Sequence, residues 1–241
     1  MRMKKKIFII GGSSDIGIEV IKKFISNNCK VVAHYNKEFD KLKKLKKKNN
    51  SRLELFQFDL RDITKLESYL HRNKKFFEDS NIFVNLAGYN DSKKLDSVSS
   101  KDLIEHLNVN YIASILISRI ILKNSVKKRW GRILFSSSVG TKFGGGITSF
   151  CYSLSKFLNE FIPKEYVKCS QYNVLTNCIK IGVTDTKIHL KSKNKNLKKR
   201  ISLIPSKKIA KPLDIAEFIY FLCSEKNQFI TNKVLDITGG E

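Results

Sequence analysis

The feature that most constrains the fold is a regular alternation of short apolar runs with longer segments of helical periodicity. The apolar runs have strand length and lack the polar-apolar alternation of a half-exposed strand. Strands of this kind are covered on both faces, and strands separated by helices pair in parallel through right-handed crossovers. The pattern therefore predicts one α/β domain over residues 1–241, a doubly wound parallel sheet of about seven strands with helices on both faces.

The predicted strands are 6–10, 30–34, 53–58, 82–86, 131–136, 174–179 and 233–237. The predicted helices are 16–27, 39–48, 63–78, 101–126, 152–170 and 213–224. Residues 183–211 interrupt this rhythm, because they are rich in Lys and Asn and lack a strong apolar period. Long segments of that kind are often lids over an active site, so we predict a substrate lid around 183–211, with a plain surface loop as the alternative.

The composition argues against several classes of protein. Five scattered Cys without a CxxC pair indicate free thiols in a reducing compartment, and four His without ligand spacing predict no metal. No apolar stretch is long enough to span a bilayer, so we expect a cytoplasmic protein without a membrane partner. The formal charge of +24 can indicate nucleic-acid binding, but no nucleic-acid motif accompanies it, and we expect no such partner.

Tyr152 and Lys156 are four residues apart in a predicted helix, which puts them one turn apart on the same face. A Tyr phenol has an ordinary pKa of about 10, and a nearby ammonium lowers that pKa by favouring the phenolate. A shift of ~3 units corresponds to ~4 kcal/mol and would let Tyr152 exchange a proton with a carbonyl or alcohol oxygen near pH 7. Taken alone, the pair is more typical of a solvated helix face.

A glycine-rich turn, Gly11-Gly12-Ser13-Ser14-Asp15-Ile16-Gly17, follows the first predicted strand and opens the first predicted helix. Glycines there let the backbone approach a pyrophosphate, and the helix N-terminus supplies N–H groups and a favourable dipole. Asp15 would either cap the helix or repel the phosphates. The turn therefore predicts a phosphate site.

With both features, the sequence resembles the short-chain dehydrogenase/reductase family in its single-domain, Rossmann-like form, and is similar to its 3-oxoacyl-acyl-carrier-protein reductases. The resemblance covers essentially the whole chain. Gly11 and Gly17 match the family motif TGxxxGxG, in which Ile10 replaces the Thr and Asp15 the middle Gly. Further matches follow in family order: Asp59-Leu60, Asn85-Leu86-Ala87-Gly88, Asn108-Val109-Asn110, the strand ending in Ser136-Ser137-Ser138, Thr176-Asn177 and Gly182-Val183-Thr184-Asp185-Thr186.

The resemblance implies four catalytic residues. Tyr152 would be the acid/base, and Lys156 would lower its pKa and bind the nicotinamide ribose. Ser138 would polarise the substrate carbonyl, and Asn110 would support a water chain that reprotonates Tyr152 through Lys156. These catalytic residues are Asn110, Ser138, Tyr152 and Lys156.

The choice between two serines depends on where the count starts. Counting from Gly131 selects Ser138, whereas counting back from Gly140 selects Ser137. We favour Ser138, because the strand register is rigid and the glycine-containing loop after it can absorb changes of length.

The resemblance also implies a nicotinamide dinucleotide site. Asp59 matches the residue that contacts the adenine amino group. The motif Asn85-Leu86-Ala87-Gly88, the Asn85 motif, would form a wall beside the cofactor's ribose. Backbone groups of Gly182 and Val183 and the hydroxyls of Thr184 and Thr186 would surround the nicotinamide amide. The predicted cofactor residues are Gly11, Ser13, Ser14, Asp15, Ile16, Gly17, His34, Tyr35, Asn36, Asp59, Leu60, Asn85, Ala87, Gly88, Tyr152, Lys156, Gly182, Val183, Thr184 and Thr186.

The end of the second strand predicts NADP(H) over NAD(H). An acidic residue there usually accepts the ribose 2′-OH of NAD, and this chain has no carboxylate until Glu38. His34, Asn36 and Lys37 could instead surround a 2′-phosphate, together with Ser13 and Ser14.

The implied activity is NADP(H)-dependent interconversion of a carbonyl and a secondary alcohol. The basic lid would attract an anionic partner, such as an acyl chain on acidic acyl carrier protein. A nucleotide-linked or phosphorylated keto-sugar fits equally well, and simple solvation also explains a basic loop. Its basic residues are Lys187, Lys191, Lys193, Lys195, Lys198, Lys199 and Arg200.

A non-catalytic dinucleotide-binding regulatory module is the alternative from another class. The intact set of four catalytic residues argues against it. Family members commonly form tetramers through the helices that match 101–126 and 152–170, so we expect a homo-oligomer, either a tetramer or a dimer.

Overall fold

The computed structural model describes residues 5–186 and 197–241. Its strands form one seven-stranded parallel sheet in the order β3-β2-β1-β4-β5-β6-β7, which confirms the predicted fold class. Both β5 and β6 run beyond their predicted ends. The strands are β1 (Lys6–Ile10), β2 (Lys30–Tyr35), β3 (Leu53–Gln57), β4 (Ile82–Asn85), β5 (Gly131–Ser138), β6 (Val174–Ile181) and β7 (Val234–Ile237).

Helices connect the strands and cover both faces of the sheet. A π-helical turn, Asn108–Ile112, joins α5 to α6, and a 3₁₀ turn, Leu158–Glu160, follows α7. The α-helices are α1 (Asp15–Ser26), α2 (Asp40–Lys48), α3 (Ile63–Arg72), α4 (Lys74–Glu78), α5 (Ser100–Leu107), α6 (Ala113–Lys127), α7 (Phe150–Phe157), α8 (Lys164–Lys168), α9 (Leu197–Leu203) and α10 (Pro212–Cys223).

The helix predicted over 152–170 is wrong in its extent. The α-helix ends at Phe157, and Phe161 leaves the helical conformation with ψ of 100°. Pro163 explains the break, because proline has no N–H and disfavours helical geometry in the residue before it. The chain resumes as the short helix α8, for which Pro163 is the N-cap residue.

Each face of the sheet carries its own hydrophobic core. One core packs α1, α2 and α10 against residues such as Val31 and Ile179. The other packs α3, α4 and α6 over Phe8, whose ring centroid lies 5.8 Å from that of Phe56 and 5.2 Å from that of Phe77. Burial on both faces is the reason that the central strands β1 and β4 are almost entirely apolar.

The strand order opens a crevice at the carboxyl ends of β1 and β4. The chain leaves β1 towards β2 and later returns to the other side of β1 as β4. Loops diverge at such a point, and ligands of doubly wound sheets bind there. The glycine turn follows β1 and the Asn85 motif ends β4, so the topology brings both to this crevice.

The predicted lid is described only in part. Residues 187–196 lie outside the described residues, and with them Lys187, Lys191, Lys193 and Lys195. Before this gap, Thr184 forms an isolated bridge with Ala210, and after it comes α9. In the described ranges, no helix combines the length and the apolar character needed to cross a membrane.

Candidate active site

The glycine turn packs directly against the backbone after β4. Gly11 has φ of +75°, and a Cβ there would lie 2.7 Å from the Leu86 carbonyl oxygen, so a larger residue does not fit. Ser14 is the N-cap of α1, since its hydroxyl accepts from Gly17 N at 3.0 Å and donates to Gly11 O at 2.8 Å. The first turn of α1 thus faces the crevice with the N–H groups and dipole that favour an anion.

Asp15 is the first residue of α1 and does not cap it, so that alternative is corrected in favour of Ser14. The Asp15 carboxylate forms an ion pair with the ammonium of Lys41 on α2. This pairing offsets negative charge beside the predicted phosphate site.

His34 supports the backbone of the glycine turn and is buried, with only 4% of its surface exposed. Its Nδ1 accepts from Gly11 N at 3.3 Å, and its Nε2 donates to Phe58 O at 2.9 Å. The contact in which Nδ1 accepts needs a neutral ring, and burial lowers the pKa of His34 to about 4. The sequence predicted His34 around a phosphate, but the structure gives it no charge to offer one.

A cavity of about 330 Å³ runs from the glycine turn past the end of β2 to the loop after β4. Arg61 and Tyr89 were not predicted for it, although each directly follows a predicted motif, Asp59-Leu60 and Asn85–Gly88 respectively. The lining residues are Gly11, Ser13, His34, Tyr35, Asn36, Lys37, Asp59, Leu60, Arg61, Ala87, Gly88, Tyr89 and Val109.

Arg61 pairs with Asp59 at the end of this cavity where the sequence predicted adenine. The guanidinium Nη2 lies 2.6 Å from Oδ2 of Asp59, and Nε lies 3.1 Å from Oδ1. The hydrogen bonds from Arg61, together with one from Asn36, lower the pKa of Asp59 to about 2. Asp59 therefore stays ionised as an acceptor, and Arg61 brings positive charge to the cavity.

Ser138, and not Ser137, lies beside Tyr152. The Ser138 side chain lies close enough to the Tyr152 phenol to affect the pKa of that phenol, whereas the Ser137 hydroxyl donates to Glu160 Oε1 at 2.6 Å. Burial raises the pKa of Tyr152, and the Ser138 side chain partly opposes that rise. The phenol is thus a protonated group at neutral pH.

Lys156 is buried, with 3% of its surface exposed. Its ammonium donates to Ala87 O at 3.1 Å and to Ser136 Oγ at 2.9 Å, and burial lowers its pKa to about 8. The sequence predicted that Lys156 lowers the pKa of Tyr152. In the structure burial has the largest effect on both pKa values, and it raises that of Tyr152. Ser136 was not predicted, although alternate residues of a strand share a face and Ser136 is two positions before Ser138.

Asn110 lies buried in the π-helical turn, a feature frequent at functional sites. Its side chain accepts from Tyr89 N at 2.7 Å and donates to Tyr89 O at 2.9 Å and Ser155 Oγ at 2.8 Å. Its main-chain carbonyl oxygen accepts from Asn85 Nδ2 at 3.2 Å and from Asn159 Nδ2 at 3.0 Å. These contacts make Asn110 a junction between the β4 loop and α7, and Asn159 is a member that sequence reasoning missed.

The segment after β6 packs closely against β7. A Cβ on Gly182 would lie 2.6 Å from Thr238 Cα. The Thr184 hydroxyl donates to Gly182 O at 3.1 Å, and the Thr186 hydroxyl donates to Thr184 O at 3.3 Å. In this arrangement the proton of each hydroxyl is used within the segment.

Known proteins match this chain over most of its length. The family model described as short chain dehydrogenase matches residues 5–197. The 3-oxoacyl-[acyl-carrier-protein] reductase FabG of Buchnera aphidicola subsp. Schizaphis graminum is 27% identical over 98% of this chain and 97% of its own. A 3alpha-hydroxysteroid dehydrogenase of Mediterraneibacter gnavus is 26% identical, with coverage of 99% and 98%. The structure of ElxO with NADP bound is 27% identical, with a TM-score of 0.83 and coverage of 99% and 98%.

The family match, the sheet order and the site together define the class, and the chain belongs to the short-chain dehydrogenase family. It is an oxidoreductase that acts on CH–OH groups, as the sequence predicted. The names of the two relatives span acyl and steroid substrates, so the substrate has to be argued from the residues of this chain.

The buried, neutral His34 predicts an acid-labile fold. Unfolded chains take up a proton on His near pH 6.5, whereas folded His34 resists it until about pH 4, so stability falls as the pH drops between these values. The loss is roughly 3 kcal/mol. Urea unfolding from pH 7 to 4 should show this slope, and His34→Gln, which does not titrate, should flatten it.

His71→Gln, on the exposed surface of α3, is the matched control and should keep the wild-type slope. Equal slopes in the wild type and His34→Gln would contradict the role given to His34.

Proposed function

We propose that the protein is an NADP(H)-dependent reductase that converts a carbonyl to a secondary alcohol, with Tyr152 as the proton donor. The observation that carries the proposal is the proximity of the Ser138 side chain to the Tyr152 phenol, with Lys156 one turn further along α7. None of these three side chains lines the cavity that starts at the glycine turn, but Lys156 contacts the carbonyl of Ala87, which does.

The cradle fits a dinucleotide. The close approach of Gly11 to the backbone after β4 leaves the N-terminus of α1 open to a pyrophosphate, and a Cβ on Gly88 would meet only open space. Asp59 would take the adenine amino group, and the Asn85 motif would wall the ribose. Gly182 to Thr186 would receive the nicotinamide amide, and when bound the nicotinamide supplies or accepts the hydride.

The roles of the three central side chains follow from their environment. Tyr152 holds its proton at neutral pH, because burial raises its pKa, and donates it as negative charge develops on the substrate oxygen. The Ser138 hydroxyl would turn from the phenol to the same oxygen and polarise the carbonyl. Lys156 is largely an ammonium below its pKa of about 8, so it would bind the ribose and stabilise the phenolate left on Tyr152.

Lys37 and Arg61 support NADP(H) as the preferred cofactor. Both line the cavity beyond the end of β2, where a ribose 2′-phosphate would lie, and β2 itself ends in Tyr35 without a carboxylate. The relative ElxO was solved with NADP bound.

Lys37→Glu should therefore reverse the cofactor preference. We expect kcat/KM for NADPH to exceed that for NADH in the wild type, and the ratio to fall about 10- to 100-fold in the variant, because a like charge repels the 2′-phosphate. Lys47→Glu, an equal charge change on the exposed surface of α2, is the control. A wild-type preference for NADH would overturn the assignment.

Tyr152→Phe should abolish turnover and leave nucleotide binding intact, because it removes only the phenolic proton. We expect kcat to fall by at least about 10³-fold, with the Kd for NADPH measured by nicotinamide fluorescence within about threefold of the wild type. Tyr220→Phe on α10 removes a hydroxyl outside the site and should leave both values unchanged. Substantial residual turnover in Tyr152→Phe would refute the mechanism.

For the substrate we propose a 3-oxoacyl thioester carried by an acidic acyl carrier protein. The support is the similarity to reductases of that name and the basic residues of the predicted lid. Of these, Lys198, Lys199 and Arg200 lie on α9, where Arg200 is paired with the Glu241 carboxylate. Positive charge on the lid would attract an acidic carrier and speed encounter.

Activity on the 3-oxoacyl group should rise when the carrier replaces a simple thioester and should fall with salt. We expect about a tenfold loss of kcat/KM between 0.05 and 0.5 M salt with the carrier substrate, because salt screens surface charge. The simple thioester is the control and should change little. A keto-sugar nucleotide reduced faster than either would overturn this assignment in favour of the sugar alternative.

The cytoplasmic location and the homo-oligomer stay predictions. Exposed apolar side chains of Ile104 on α5, Phe157 at the end of α7 and the neighbouring Phe161 support the second. They lie on the two helical segments expected to form an oligomer interface.

A further inference from the structure

Glu160 is a mostly buried carboxylate to which the proposed reaction gives no role. It ends the 3₁₀ turn that continues α7, four residues after Lys156 and eight after Tyr152. Its side chain is 14% exposed. Residues at these spacings lie along one side of a helical segment, so Glu160 points towards the same strand ends as the two site residues.

The Glu160 carboxylate holds the residues on both sides of Ser138. Its Oε1 accepts from Ser137 Oγ at 2.6 Å and from Thr141 Oγ1 at 2.8 Å. The Thr141 hydroxyl also lies 2.8 Å from the Ser138 carbonyl oxygen, and Gly140 N donates to Ser138 Oγ at 3.2 Å. One carboxylate oxygen therefore connects both ends of the turn over residues 137–141, the Ser138 turn, to the helical segment that carries Tyr152.

The second carboxylate oxygen is paired as well. Glu160 Oε2 lies 3.2 Å from Nζ of Lys180, whose side chain is 17% exposed. Lys180 is on β6, directly opposite Ser137 of β5 in the parallel register. A carboxylate as buried as that of Glu160 is stable only when it is paired with a cation and hydrogen-bonded, and both conditions are met here. The cluster joins the ends of β5, β6 and α7.

We propose that Glu160 is a positioning residue that sets the distance between the Ser138 hydroxyl and the Tyr152 phenol. Ser138 ends a strand and Tyr152 belongs to a helix, so their separation depends on a link between the two elements. The carboxylate supplies that link on the Ser138 side. The inference rests on the proposed function, in which Ser138 and Tyr152 must reach the same substrate oxygen.

The first test compares Glu160→Leu, Glu160→Gln and the matched control Glu165→Gln, an equal charge change at an exposed position on α8. We expect kcat for carbonyl reduction to fall about 30-fold in Glu160→Leu with KM for NADPH within about twofold, because a misplacement of 1 Å can cost about 100-fold. Glu160→Gln keeps one acceptor oxygen and should recover most of the rate. A Glu165→Gln loss as large as that of Glu160→Leu would overturn the proposal.

A double-mutant cycle separates positioning of Ser138 from general damage. In a Ser138→Ala background, Glu160→Leu should cost less than about threefold in kcat, because the hydroxyl that it positions is already gone. Equal losses with and without Ser138 would show that Glu160 does not act through this hydroxyl.

A crystal structure of Glu160→Leu with NADPH bound tests the distance between Ser138 and Tyr152 directly and needs no activity measurement. We expect the Ser138 turn to move away from α7 and the Oγ–Oη distance between Ser138 and Tyr152 to become longer than in the wild-type structure. An unchanged distance overturns the role of Glu160. A wild-type protein that reduces no carbonyl would instead contradict the proposed function, and the distance would still decide the role of Glu160.

Two milder variants cover the case in which Glu160→Leu does not fold. Thr141→Val and Ser137→Ala each remove one hydrogen bond to the carboxylate and keep the carboxylate and Lys180 together. We expect each to lower kcat by about 3- to 10-fold and KM for NADPH to stay unchanged. Wild-type kcat in both variants would overturn the proposal.

Discussion

The buried ammonium of Lys156 is the interaction on which the site depends. It joins the end of β4 through the Ala87 carbonyl to the end of β5 through the Ser136 hydroxyl, and α7 carries it. Taking an ammonium out of water is costly, so these two acceptors must be in place before the helix can dock. Docking in this position also brings Tyr152 to Ser138, because both face the same strand end.

Neutral side-chain amides align the elements around the Lys156 ammonium. Asn85 donates to the Asn159 side chain at 3.1 Å, and both amides converge on the Asn110 carbonyl. Hydrogen bonds between neutral groups hold these side chains in position without adding a further net charge near the phenol. The charged pair, Glu160 and Lys180, contacts instead the residues that flank Ser138, through the hydrogen bonds that Glu160 accepts from Ser137 and Thr141.

The sheet, the glycine turn and the Tyr152–Lys156 pair could be predicted because each depends on local spacing. A strand covered on both faces is apolar at every position, and helix periodicity puts residues four apart on one side. The break at Pro163 was also readable from the chain, yet the apolar pattern continued past it and favoured a single helix.

Roles that depend on register between distant elements could not be predicted. A His at the end of β2 is a reasonable phosphate ligand until the pairing of strands puts Phe58 beside it and Gly11 above it. Glu160 has the same difficulty, because its meaning comes from β5 and β6 being neighbours, a fact about the assembled sheet. The local sequence around either residue carries no trace of its partners.

The junction at Asn110 has a consequence for how the protein is made. Asn85 contacts Asn159 across 74 residues of chain, and Ala87 contacts Lys156 across 69. A nascent chain on the ribosome can form the glycine turn early, but it lacks the contacts that would complete the predicted ribose wall until α7 has emerged and docked. Contacts of such long range form late. A nucleotide that needs that wall therefore binds only the finished fold, and its binding energy selects completed molecules over partly folded ones.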